Sequence, residues 1–291
     1  MKENLYKLLH IIFSDKIFFY RNGLRVLAYH DIKNPNKFEA QIKFLINSDY
    51  NIIDINKLEN HLYRGDILPK KPVLITFDDG DVSVLDVGLP ILKKYKLPSV
   101  MFVITNLIDS DNTFWCRWVE TALQDQGESY VQARIKVNQL KKMPNANRMK
   151  FLKSLKPIVS RQLTKEDLGI MQKELMFIGN HTYSHPMVNM CNKEEIKNEL
   201  NISKSYFDNW ELPGYPVFAY PNGNWDEQSE MVLKENGIKM AFLFDHKINS
   251  KIINPMRISR IRVNSDTEIN EFKVKVSGLH SKLLKLKQQI S

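Results

Sequence analysis

Two clusters in this chain have residue types and spacings suited to chemistry. An apolar run at 73–77 ends in Asp78-Asp79-Gly80, and a second at 176–179 ends in Asn180-His181-Thr182-Tyr183-Ser184-His185. Neighbouring carboxylates at a strand exit repel, so a cation or a proton must separate their charges. Histidines at i and i+4 reach one centre if the backbone between them is a helical turn. With one carboxylate they form a three-ligand metal site that keeps positions open for water and substrate. Such a metal lowers the pKa of bound water and polarises a carbonyl while a nearby base takes the proton, which is metal-assisted hydrolysis. Asp-Asp-Gly alone is also an ordinary turn, and two histidines four apart also begin ordinary helices. The force of the pattern lies in finding both at strand exits of one alternating chain.

That alternation follows from the spacing of apolar residues. Continuous or β-rich runs at 24–29, 50–55, 73–77, 99–104, 176–179, 217–220, 240–244 and 258–263 read as strands. Between them, Phe38, Ile42 and Leu45, then 56–64, Leu89 with Leu92, 193–207 and 226–236 carry helical periodicity. Leu5, Leu8, Leu9 and Ile12 predict a further helix at the start. At least seven β-units of this kind give an α/β barrel or a doubly wound sheet, with functional residues at the C-terminal strand ends. The alternation lapses at 105–165, read as a helical insertion holding Phe114, Trp115 and Trp118. We expect one domain over 1–291, with a core at about 24–263 and a basic tail at 264–291.

The quoted residues resemble a known family. Thr76-Phe77-Asp78-Asp79-Gly80 and His181-Thr182-Tyr183-Ser184-His185 are similar to the first two motifs of the polysaccharide deacetylases, carbohydrate esterase family 4, also called the NodB homology domain. The opening Val26-Leu27-Ala28-Tyr29-His30-Asp31 resembles the permuted members similar to poly-N-acetylglucosamine deacetylases. The resemblance implies a distorted (β/α) barrel of about seven strands and a divalent metal, usually zinc, with nickel, cobalt or iron(II) as alternatives. It implies hydrolysis of an acetyl group, N-linked more often than O-linked, on a sugar. By position it makes Asp78 the general base, Asp79, His181 and His185 the metal ligands, and His30 the general acid, a role that a titratable imidazole suits. Ala219-Tyr220-Pro221-Asn222-Gly223 stands where the family has Arg-x-Pro-Tyr-Gly. Tyr220, Pro221 and Asn222 are therefore expected at the substrate and oxyanion, and Arg260 is the candidate replacement for the missing arginine that orients the base. Aromatic residues of the insertion could stack on a sugar, although Trp118 reads better as an anchor, and Cys191 reads as a buried apolar residue rather than a ligand.

Composition sets the bounds. With 291 residues, 43% hydrophobic and 26% charged, the chain is an ordinary globular one and no run of eighteen apolar residues occurs. The 42 Lys+Arg against 33 Asp+Glu leave a formal charge of +9, which favours an anionic partner. The lysines are dispersed rather than gathered with aromatics, so nucleic acid is not expected. Two cysteines without a C-x-x-C pairing fit a reducing compartment. The first twenty residues lack an uninterrupted signal-peptide core. Leu279, Leu283, Leu286 and Ile290 form one stripe among lysines, suited either to packing on the barrel or to an anionic membrane face. The combined expectation is a cytoplasmic sugar N-deacetylase of cell-surface polysaccharide biosynthesis, in peripheral contact with the inner membrane face. Its substrate would be an acetylated sugar or polysaccharide precursor, linked to a nucleotide or to polyprenyl phosphate. The alternatives are a deformylase, an O-deacetylase, or a catalytically weak sugar-binding homologue.

Overall fold

A computed structural model of the chain describes residues 23–250 and 252–281. The expected helix around Leu5–Ile12 and most of the tail stripe lie outside the described residues. Strands β1 (Arg25–Tyr29), β2 (Asn51–Ile52), β3 (Pro72–Phe77), β4 (Ser99–Val103), β5 (Met176–Asn180), β6 (Val217–Ala219), β7 (Met240–Phe242) and β8 (Ile261–Arg262) form one sheet. Its order is β7-β6-β5-β4-β3-β1-β8, every named pair is parallel, and β2 pairs with β3 off this path. The segment before β8 ties the two edges together. Ile258 N donates to Ala241 O at 2.9 Å and Leu243 N to Ile258 O at 2.8 Å, before Ile261 pairs with Leu27 of β1. The sheet thereby curls into the expected distorted barrel.

Period-two alternation divides the strand residues between two cores. Val26, Leu74, Val100, Phe102, Val217, Met240, Phe242 and Ile258 pack together inside the barrel. Leu27, Tyr29, Ile75, Phe77, Met101, Ile178 and Phe218 face outward to the helices. That layer comprises α1 (Pro35–Asn47), α3 (Leu89–Lys94), α7 (Lys165–Lys173), α8 (Lys193–Trp210), α9 (Glu227–Glu235) and α10 (Ile269–Ser277), whereas α2 (Ile55–Arg64) packs Ile55, Leu58 and Leu62 against the inner core. Most begin at a side-chain cap, as where Asn192 and Glu195 form a capping box on α8.

The insertion folds as α4 (Trp115–Asp125), α5 (Tyr130–Leu140) and α6 (Asn145–Leu152). Trp115, Val119, Val137, Leu140 and Leu152 form its own small core, which Met187 joins. Helix α7, capped by Thr164 and Asp167, was not expected from the spacing. The extended runs predicted at 50–55 and 258–263 shrink to two-residue strands, β2 and β8, and Ile258 pairs separately with Phe242 of β7. The described part of the tail packs inward: Phe272 and Val276 are buried, and Arg25 Nε donates to Val276 O at 2.7 Å.

Candidate active site

The alternation that fills the barrel also aims the site residues. On β3 the inward positions run Leu74, Thr76 and, one step past the strand, Asp78. On β1 they run Val26, Ala28 and His30. On β8, Arg260 and Arg262 flank the outward Ile261. Arg260, with no exposed surface, meets Asp78 in a fork: Nη1 to Oδ1 at 2.6 Å and Nη2 to Oδ2 at 2.7 Å. Its Nε donates to Leu243 O at 2.7 Å, so the guanidinium is held in one orientation. Burial works against a charged Asp78, but the Arg260 guanidinium, with His181 and His30 nearby, outweighs it and holds the carboxyl below the usual range.

Asp79 follows in the left-handed region, φ 71°, which turns its carboxylate toward the histidines. Its Oδ1 lies 3.4 Å from His181 Nε2 and 3.5 Å from His185 Nε2. That oxygen is buried and has no hydrogen-bond partner. His181 Nδ1 sits 2.8 Å from Ala219 O, and since a carbonyl only accepts, Nδ1 carries the hydrogen and Nε2 presents its lone pair. Burial first, and His181 second, push His185 well below the ordinary histidine range, so it is held neutral. One carboxylate oxygen and one nitrogen from each histidine lie within 4.8 Å of one another. Ligands at about 2.1 Å around a tetrahedral centre stand roughly 3.4 Å apart, so the spacing and the orphaned Oδ1 fit a divalent cation.

The two histidines do not meet through a helical turn, as their spacing suggested. Thr182 and His185 both have positive φ, 69° and 55°, and the loop folds back so that the rings cross at 4.7 Å between centroids. Side chains from distant parts of the chain hold this strained loop in place. Thr182 N donates to Asn180 Oδ1 at 2.8 Å, and His185 N to Thr182 Oγ1 at 2.9 Å. The carboxylate of Glu199 on α8 accepts from Ser184 N at 2.7 Å and Ser184 Oγ at 2.6 Å. From the insertion, Trp115 Nε1 and Arg148 Nη1 both donate to His185 O, at 3.0 and 3.2 Å.

A cleft of about 230 Å³ opens over the cluster, lined by His30, Asp78, Asp79, Phe114, Asn222 and Phe244 among others. Of the third-motif stretch, Asn222 and Gly223 reach it, whereas Tyr220 and Pro221 are buried beneath. The expectation for Tyr220 is corrected: its amide donates to Phe242 O at 3.0 Å and its ring lies in the outer core, so neither faces a substrate. Gly223 is required at its position, because a Cβ there would stand 2.4 Å from Phe244 Cβ. Phe114 packs edge-on against His185 at 4.9 Å, while Trp118 donates to Lys156 O within the insertion. Burial pushes the thiol of Cys191 up to about 12, and it lies outside the ligand cluster.

Glu199, Arg148 and the cleft residues Lys141 and Arg262 were missed in the sequence. Glu199 did leave a signal, as a lone charge on the buried stripe Ile196, Leu200, Ser203 and Phe207 of α8. Arg148 left none, because its helix has no strong apolar face.

A curled parallel sheet with two histidines and two carboxylates at its C-terminal end defines a barrel hydrolase of the metal-assisted class. Residues 65–241 match the polysaccharide deacetylase family, and the chain belongs to it. The poly-beta-1,6-N-acetyl-D-glucosamine N-deacetylase of Staphylococcus epidermidis is 26% identical over 249 residues, 81% of this chain and 71% of that protein. The enzyme of the same name from Staphylococcus aureus is 24% identical over 266 residues, 91% of this chain and 78% of that one. Among solved structures, the Streptococcus pyogenes deacetylase PplD, in complex with acetate, superposes with a TM-score of 0.65 at 20% identity, covering 88% of this chain and 98% of that one. IcaB from Ammonifex degensii does so with 0.62 at 20% identity, covering 87% and 97%.

Proposed function

We propose that this protein is a metal-dependent N-deacetylase acting on an N-acetylated sugar polymer or its precursor in bacterial cell-surface polysaccharide synthesis. The observation that carries the reading is the buried Asp79, His181 and His185 cluster beside an arginine-held Asp78 at the floor of one cleft. A two-histidine, one-carboxylate set suits zinc, and also nickel, cobalt or iron(II). When bound, such a metal would supply a Lewis acid for the amide carbonyl and acidity for the attacking water. The protein's own groups do the rest. Asp78, kept ionised by Arg260, accepts the water's proton through lone pairs that the guanidinium leaves free. His30, on the neighbouring strand and lining the same cleft, gives a proton to the departing amine. Asn222, at the cleft edge, is the candidate contact for the oxyanion.

The two staphylococcal relatives, named for poly-beta-1,6-N-acetyl-D-glucosamine, support a β-linked acetylated glucosamine substrate. The charge of +9 supports a precursor borne on a nucleotide or polyprenyl phosphate, handled at the cytoplasmic face of the membrane. The test is release of acetate and free amine from a β-1,6-linked N-acetylglucosamine oligosaccharide by the zinc-loaded protein. Asp78→Asn should slow release by roughly 100- to 10,000-fold and leave sugar binding intact. Formate as the product, or release from an O-acetyl ester alone, would replace this reading with the deformylase or the O-deacetylase.

A further inference from the structure

The basic side chains around the cleft fall into two groups. Most are neutralised: Arg260 by Asp78, Arg134 by Glu120, Arg117 by Asp81, Arg161 by Asp86, and Lys33 by Asp31 at 3.5 Å. Lys141 and Arg262 are not, since among the described residues neither forms an ion pair. Lys141, at the end of α5, donates from Nζ to Asn222 Oδ1 at 2.9 Å. Arg262, two residues past Arg260 on the inward side of β8, holds its guanidinium 5.9 Å from the Phe244 ring. Gly223 presses against Phe244, so Asn222, Gly223 and Phe244 form one wall that carries a free ammonium and a free guanidinium.

This wall stands over the candidate ligands, where Asp79 would be committed to a cation and Asp78 already is committed to Arg260. With the cation in place, the cleft is net positive. A neutral chain of acetylated glucosamine offers these two side chains no counter-charge, and each amine freed by deacetylation would be repelled by them. A phosphate oxygen satisfies both, because guanidinium forks onto phosphate and ammonium binds it as a point charge. Resting on the deacetylase reading above, we propose that Lys141 and Arg262 form a subsite for a phosphate group carried next to the acetylated sugar. The sources that share this chemistry are a sugar nucleotide, a polyprenyl diphosphate sugar and a phosphate-bearing glycan.

The test compares zinc-loaded wild type with Lys141→Gln/Arg262→Gln on N-acetylglucosamine 1-phosphate, its uridine diphosphate ester, a farnesyl diphosphate ester of the same sugar, and a neutral N-acetylglucosamine tetramer. Wild type should favour a phosphorylated substrate over the neutral one at least tenfold in kcat/KM, mostly through KM. The double variant should lose most of that ratio, and Lys141→Arg/Arg262→Lys should keep it. Which ester leads identifies the source. The same sugars titrated by calorimetry into zinc-loaded Asp78→Asn protein, with and without the two substitutions, read the subsite without turnover. Phosphate held by the zinc itself is common to both and cancels. Tighter binding of the phosphorylated sugar that the two substitutions abolish would uphold the subsite even if no acetate were ever released. Equal affinity for charged and neutral sugars in wild type, or a preference that survives the double substitution, would overturn it.

Discussion

Asp78 and Arg260 are a fully buried ion pair, and this couples the chemistry to the stability of the fold. Removing the cation alone strands a buried carboxylate, so Arg260→Met should lower stability by about 3–5 kcal/mol, whereas removing both partners should be far milder. Denaturant melts of Arg260→Met, Asp78→Asn and the double variant check this; costs that simply add would show that the pair is not coupled. In turnover, Asp78→Asn should reduce kcat roughly 100- to 10,000-fold, the usual contribution of a positioned base, with metal content unchanged. His30→Ala should also spare the metal and lower turnover. A fully active His30→Ala protein would remove that residue from the acid role. Arg260 could be named from the sequence because it is a cation on the inward side of the last strand. Tyr220 was misplaced for a physical reason: in a parallel sheet its amide is committed to Phe242 O, a bond that the motif's composition does not reveal.

At the scale of elements, strand parity made most of the barrel legible. Continuous apolar or β-rich runs located every strand of the described residues, and the two site clusters fell at strand exits because inward positions simply continue past the strand ends. The loop 181–185 was not legible, since its fold-back rests on positive φ at Thr182 and His185 and on partners from α4, α6 and α8 that are far away in sequence. Glu199 is the most consequential of these partners. Glu199→Gln keeps the shape but weakens the hold on Ser184, and should cost about tenfold or more in zinc affinity measured by chelator competition, as losing an outer partner of a metal ligand typically does. Unchanged affinity with only a lowered Tm would reduce Glu199 to a packing residue. Gly179 supports the same loop from the barrel interior. A Cβ there would lie 2.8 Å from Phe102 Cδ1 and 3.0 Å from Val217 O, so Gly179→Ala should cost about 1–3 kcal/mol by overpacking.

For the whole molecule, the cluster of acids and neutral histidines ties stability to pH and to metal. Asp78 is held below the carboxylate value of 3.8 and His185 below the histidine value of 6.5, so at both sites the unfolded chain binds more protons than the folded one. Asp78's contribution is present above 3.8 and His185's above 6.5, and each is lost as pH falls through the depressed folded value. The Tm of the metal-free protein should therefore begin to fall below pH 6.5, and less steeply in His185→Gln; a Tm that rises on acidification would contradict the assignment. Zinc at a hundredfold excess over its dissociation constant should add about 2.7 kcal/mol to stability. The net charge, by contrast, was readable from composition but not its location, because pairing in the fold leaves, among the described residues lining the cleft, Lys141 and Arg262 uncompensated. The central claim is that Asp79, His181 and His185 hold one divalent ion, and the most direct measurement is the metal content of the purified protein by elemental analysis, wild type beside His181→Ala. The account predicts about one equivalent of zinc or a related ion in wild type and its loss in the variant; no metal in either protein after incubation with zinc would contradict it.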